Sequence, residues 1–166
     1  GKGSIYYYFE SKDEILDSLI ERSFRRAIRE YLNCINYEQT ALGRIKQLFR
    51  SVLKKDFADS RRNLIITLHL SDDLMLHNKL KEVAIQELAP ILTVLLEQGL
   101  EEGSIKVEYP KESAEIMVAA LTVFLDSSRD EKGSLKKKLK IFAGVLETCL
   151  KTPKGSFDFL FEGFEQ

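Results

Sequence analysis

Glycine and proline are scarce in this sequence, at 9 and 3 of 166 residues. That scarcity argues against collagen-like repeats, linker-rich architectures and disorder. Cysteine is rarer still. Cys34 and Cys149 lie far apart and each sits inside an apolar helical pattern, so two buried free thiols in a reducing compartment are expected rather than a disulfide. Apolar runs are short: Leu88 to Leu96 and Ile116 to Leu125 reach about half a membrane span, and no signal-peptide core opens the chain, so a cytoplasmic protein is expected. Net charge is nearly absent, at -1. The global field would not attract phosphate, and any contact with nucleic acid must come from a local basic surface.

Enzyme signatures are missing as well. The sequence holds no P-loop, no GxGxxG after a strand, no GxSxG, no HExxH and no CxxC pair. Its 2 histidines leave few general bases, although carboxylate chemistry stays open. A protein that works by binding, with no catalytic residue, cofactor or metal, is the expectation. His69, Asp73 and His77 are spaced by four, which on one continuous helix would bring them to adjacent turns as metal ligands. Ser71-Asp72-Asp73 favours a turn or cap there instead, so helix capping with a pocket-lining or core histidine is the preferred reading.

What the chain does have is an ordinary globular mixture, 44% hydrophobic and 31% charged, with room for a core in one compact domain. Ile15, Leu16, Leu19, Ile20, Phe24, Ala27, Ile28, Tyr31 and Leu32 recur at spacings of three and four, which predicts a long amphipathic helix from Lys12 to about Asn33. Ser11 and Glu14 form a capping box at its start, the Ser hydroxyl accepting from the Glu14 amide and the Glu carboxylate reaching back to the Ser11 amide. A second helix is read from Ala41 to Ala58, and Asn63 to Leu70 is a buried helix or strand, taken as helix because no partner strand is found. Leu76 to Glu102 reads as a long helix kinked by Pro90 and stopped at Gly103. Pro110 opens the next helix, and after a polar break at Ser127 to Gly133 a last major one ends before Pro153. The aromatic tail Phe157 to Phe164 is expected to dock on its own core. Lys136-Lys137-Lys138 with Lys140, and Arg25, Arg26 and Arg29 among Glu21 and Glu30, are read as solvated faces. The fold class is all-α.

The informative stretch is the beginning, Gly1-Lys2-Gly3-Ser4-Ile5-Tyr6-Tyr7-Tyr8-Phe9-Glu10-Ser11-Lys12. With Lys2, Gly3, Tyr6, Tyr7, Phe9, Ser11 and Lys12 it resembles the TetR family of bacterial transcriptional regulators, in which a short recognition helix with a K-G-x-x-Y-Y-x-F pattern runs into a capped connector helix. The resemblance implies that residues 1–10 are the end of a DNA-binding helix-turn-helix whose first two helices would precede Gly1, and that residues 11–166 are a helical effector-binding and dimerisation domain. The residue chemistry agrees. Gly3 and Ser4 would let backbone approach the major groove, Lys2 and Lys12 would neutralise phosphates, and Ser4, Tyr6 and Tyr7 would hydrogen-bond phosphate or base edges. The competing view is an aromatic cluster that merely holds a terminal helix to the core.

The resemblance further implies a repressor that acts as a homodimer on a palindromic double-stranded operator and is released by a small effector. A largely apolar ligand is expected among Phe49, Leu53, Phe57, Leu64, Leu68, Met75, Leu88, Leu92 and Met117, with His69 or His77 as a polar contact, because large apolar residues occupy several faces of the same helices. Dimerisation is expected through the last two long helices, at Leu121, Phe124 and Leu125 on one and Leu139, Phe142 and Leu146 on the other, with Met117, Val145 and Cys149 beside them. The alternatives are a helical dimeric interaction module without DNA binding and a small helical enzyme or metal protein.

Overall fold

The structure is a computed structural model that describes residues 9–34, 40–53, 74–126 and 134–162. Among them every regular element is a helix: α1 (Lys12–Asn33), α2 (Ala41–Leu53), α3 (Leu74–Glu101), α4 (Pro110–Asp126), α5 (Ser134–Leu150) and the single turn α6 (Phe159–Glu162). The reading of Asn63 to Leu70 as helix, and of the second helix beyond Leu53, falls outside the described residues.

α1 begins where its cap dictates. The Ser11 hydroxyl accepts from the Glu14 amide at 3.1 Å. The Glu14 carboxylate reaches one residue further back than the capping-box pattern predicts and accepts from the Glu10 amide. Ser11 itself has the extended backbone usual for an N-cap. Along α1, Ile20, Phe24, Ala27 and Tyr31 form one buried stripe, and it packs on α2 and α3. Asp17 pairs with Lys79 and Arg25 with Glu87 at its edges.

Among the described residues α3 and α4 pack extensively on each other. Val83, Ala84, Leu88, Leu92, Leu95 and Leu96 of α3 meet Ala114, Met117, Val118 and Leu121 of α4 in one continuous core. Asn78–Glu101 is long and apolar enough by composition to cross a membrane, beyond what its short apolar runs suggest, but Val83, Leu88, Leu92, Leu95 and Leu96 are committed to this core. Pro90 lies inside the helix on an exposed position, and helix continues on both sides of it.

The connection 102–109 turns tightly. Gly103 takes φ +72°, its amide donates to the Leu100 carbonyl, and the amides of Ser104 and Ile105 both donate to Gly99. This is a Schellman closure with glycine at the left-handed position. Ile105 folds back so tightly that a Cβ on Gly99 would stand 2.5 Å from its Cδ1.

Both cysteines are free and exposed, which corrects the expectation of burial. Cys34 caps the end of α1, just beyond the buried stripe. Cys149 falls four and eight residues after the exposed Val145 and Ile141, on the outward side of α5, while Leu139, Phe142, Ala143, Leu146 and Leu150 take the inward side. The tail does fold onto the core as the sequence suggests: Phe157, Phe159 and Leu160 are buried. The Glu147 carboxylate fastens it, accepting from the amides of Gly155 at 2.7 Å and Phe157 at 3.3 Å.

Gly99→Ala is therefore expected to lower stability by up to about 2 kcal/mol. Overpacking against the buried Ile105 costs about 1–3 kcal/mol and outweighs a helix-propensity gain of about 1 kcal/mol. Urea denaturation measures it, and an unchanged or raised midpoint would show that Ile105 can swing aside.

Candidate functional site

Of the residues read as DNA-contacting, Lys2, Gly3, Ser4, Tyr6 and Tyr7 lie outside the described residues, and Lys12 is the first residue of α1. Of the proposed pocket residues, Phe49, Leu88, Leu92 and Met117 are buried in one cluster, with Leu53 half-buried against it. Met75 and His77 belong to the first turn of α3. Phe57, Leu64, Leu68 and His69 fall outside the described residues. The sequence did not disclose Phe49's aromatic partner, the Phe159 ring 6.2 Å away, which is itself 5.8 Å from Phe157. The tail thus closes one end of the cluster.

A polar edge borders this apolar wall. Arg44, Gln47 and Ser51 share one side of α2 at spacings of three and four, beside the apolar face of Ala41, Ile45, Leu48, Phe49 and Val52. Arg44 Nη1 donates to Gln98 Oε1 at 2.6 Å. Gln47 Nε2 donates to the Cys34 carbonyl at the end of α1 at 2.9 Å. Ser51 donates to the Gln47 carbonyl. Gln47 Oε1 and Arg44 Nε on this edge, and the Tyr31 hydroxyl of α1, are buried and find no partner among the described residues.

At one end of this edge stands Glu102. Its carboxylate accepts from the Ala41 amide at 3.0 Å and 3.2 Å, from Gln98 Nε2 and from Ser104 Oγ at 3.3 Å. The Ala41 amide, which favours the charged form, is the main reason the Glu102 carboxyl titrates below its ordinary value, with partial burial opposing. No sequence signal pointed to Glu102, because its partner is an amide 61 residues away.

The residues expected at a dimer interface lie mostly inside the chain's own core: Leu121, Leu139, Phe142 and Leu146 are buried, and Phe124 is half-buried, edge-on to Phe142 at 5.3 Å. Leu125 is in the last turn of α4. The outward apolar residues of the same helices are Ile116 (68% exposed) and Val123 on α4, and Ile141 (69% exposed) and Val145 on α5. The arginines of α1 are exposed, and two of them pair as surface charges, Arg25 with Glu21 and Glu87 and Arg26 with Glu30. Arg22, Arg25 and Arg29 also border, with Ser18 and Glu21, an open groove of about 370 Å³. The His69, Asp73, His77 motif lies outside the described side chains, and among those described no cluster of His, Cys, Asp or Glu is placed to hold a metal.

Residues 57–145 match a family model described as "Tetracyclin repressor-like, C-terminal domain". That match spans more than half of the 166 residues, and the chain belongs to the TetR family. No curated protein matches it.

Glu102→Gln should lower stability by about 0.5–1 kcal/mol at pH 7, a range kept low because the carboxylate meets solvent. Since the folded value lies below the ordinary 4.5, the charged form's contribution is present above that pH and lost as pH falls through the folded value. The gap between wild type and variant should therefore narrow on acidification below 4.5 in urea titrations. A gap that stays constant from pH 7 to pH 3 would remove the carboxylate from this role.

Proposed function

We propose that the protein is a ligand-responsive, DNA-binding transcriptional regulator and not an enzyme. It works in the cytoplasm as a homodimeric repressor on a palindromic operator. A small, largely apolar effector releases it from DNA. The observation that carries the reading is the join between motif and body. In the sequence the Lys2 to Phe9 motif directly precedes the Ser11 cap that opens α1, and from Ile20 to Tyr31 a buried stripe binds α1 to α2 and α3.

That join makes α1 a lever. Twenty-two helical residues span about 33 Å, so a tilt of about 5° at the core end moves the other end by about 3 Å. Two recognition elements must sit about 34 Å apart to enter successive major grooves. A ligand among Phe49, Leu53, Phe57, Leu64, Leu68, Met75, Leu88, Leu92 and Met117, touching His69 or His77, would act on this lever, and its free energy of preference for one α1 position sets the loss of DNA affinity. DNA contact is assigned to Lys2, Gly3, Ser4, Tyr6, Tyr7 and Lys12.

Three experiments test the reading. Selection of bound duplexes from a random pool by the full-length gene product should enrich a palindrome, and none being enriched over bulk DNA would overturn it. On that palindrome Lys12→Ala should weaken binding and reduce the salt slope by about one counterion in anisotropy titrations. A slope equal to wild type would remove Lys12 from the phosphate contacts. For the homodimer, Ile141→Glu with Val145→Glu should give a monomer by light scattering at tens of micromolar with folding intact, since both side chains face outward. A dimer that survives both charges would move the interface off α5.

A further inference from the structure

Tyr31 is 1% exposed, and its hydroxyl has no hydrogen-bond partner among the described residues. Phenylalanine would fill the same space without a buried polar atom, and buried hydroxyls without partners are rare in folded proteins. Four other buried polar atoms share this condition: Asp17 Oδ1, Arg44 Nε, Gln47 Oε1 and Thr152 Oγ1. Their residues are all more exposed than Tyr31. Asp17 and Arg44 also satisfy part of their valence elsewhere, through Lys79 and Gln98.

Gln47 stands at the same junction. The Cys34 amide donates to the Tyr31 carbonyl at 3.0 Å, and the Cys34 carbonyl accepts from Gln47 Nε2. That bond fixes which way the amide points and leaves Gln47 Oε1 as a buried acceptor. The end of α1 and the middle of α2 thus present a phenol, able to donate or accept, and an oxygen that can only accept.

From this we propose that the Tyr31 hydroxyl is the hydrogen-bonding anchor for the effector, with Gln47 Oε1 as its second polar contact, and that the effector is an apolar molecule carrying a hydroxyl group. The proposal rests on the ligand-responsive reading and deepens it. A ligand hydroxyl accepts from Tyr31 and donates to Gln47, whereas a carboxylate would face Gln47 Oε1 with repulsion. Because Tyr31 belongs to α1, the contact ties the ligand directly to the lever.

The test uses 4-propylphenol and propylbenzene, matched in apolar body, with calorimetric titration of the wild-type chain and Tyr31→Phe. Wild type should bind the phenol about fivefold to tenfold more tightly than the hydrocarbon, as one hydrogen bond allows, and in Tyr31→Phe the two should bind alike. Without ligand, Tyr31→Phe should unfold at a urea midpoint equal to or above wild type, because no bond is lost. A lower midpoint would show that the hydroxyl is structural and overturn the proposal. So would a phenol preference that persists in the variant, equal binding of both probes by wild type, or tighter binding of 4-propylbenzoate than of the phenol. Equal binding leaves the effector reading standing, while failure of every probe to bind would overturn the proposal and that reading together.

Discussion

The turn between α3 and α4 is the constraint on which the rest of the described fold depends. Helix ends leave backbone groups without intrahelical partners, and this turn satisfies three ends together. It closes α3 through Gly99, Leu100 and the left-handed Gly103. It caps α2 by offering the Glu102 carboxylate to the Ala41 amide. It meets the end of α5 where the Lys106 amide donates to the Leu150 carbonyl at 2.8 Å. Capping and placement are therefore one event: the bonds that satisfy α2 and α5 also fix them relative to α3.

α1 is held by forces of another kind. Its attachment is the apolar stripe Ile20, Phe24, Ala27 and Tyr31, flanked by the pairs Asp17–Lys79 and Arg25–Glu87, with one directional bond, from Gln47 Nε2 to the Cys34 carbonyl, at its far end. Hydrophobic contact is not directional, and ion pairs reached by solvent hold geometry weakly. The cage of α2, α3 and α5 is fixed by directional hydrogen bonds at its corner, so a sliding or tilting α1 costs less than deforming the cage. A regulator needs this division between a stiff body and one movable arm.

The parts legible in the sequence were those set by neighbours in the chain. The 3.6-residue periodicity gave α1 its full length, Gly103 marked the stop of α3, Pro110 marked the start of α4, and Ser11 marked the cap. The capping box failed in its second half because Glu14 could choose between two nearby amides, and spacing alone does not decide that. Periodicity marked Leu121, Leu139, Phe142 and Leu146 as apolar but could not say whether a partner or the chain itself would cover them. The structure answers with α4, α5 and the tail. Cys149 was misread for the same reason: its pattern of four with Ile141 and Val145 is as regular as that of the inward residues. Glu102 and Glu147 were invisible, since each acts on amides brought near only by the finished fold.

The contrast between satisfied and unsatisfied polar atoms separates scaffold from site within this one domain. At the α3–α4 turn, both Glu102 oxygens, the Gln98 amide and the Ser104 hydroxyl all find partners, as a corner that must not move requires. At the α1–α2 junction, Tyr31 Oη and Gln47 Oε1 are buried without partners among the described residues, in a core otherwise built from Phe24, Ile45, Leu48 and their neighbours. Phenylalanine at position 31 would remove the first of these atoms, while the Gln47 oxygen would stay without a partner. On the proposal above, a hydroxyl-bearing ligand would supply bonds to both, at the point where the arm meets the body.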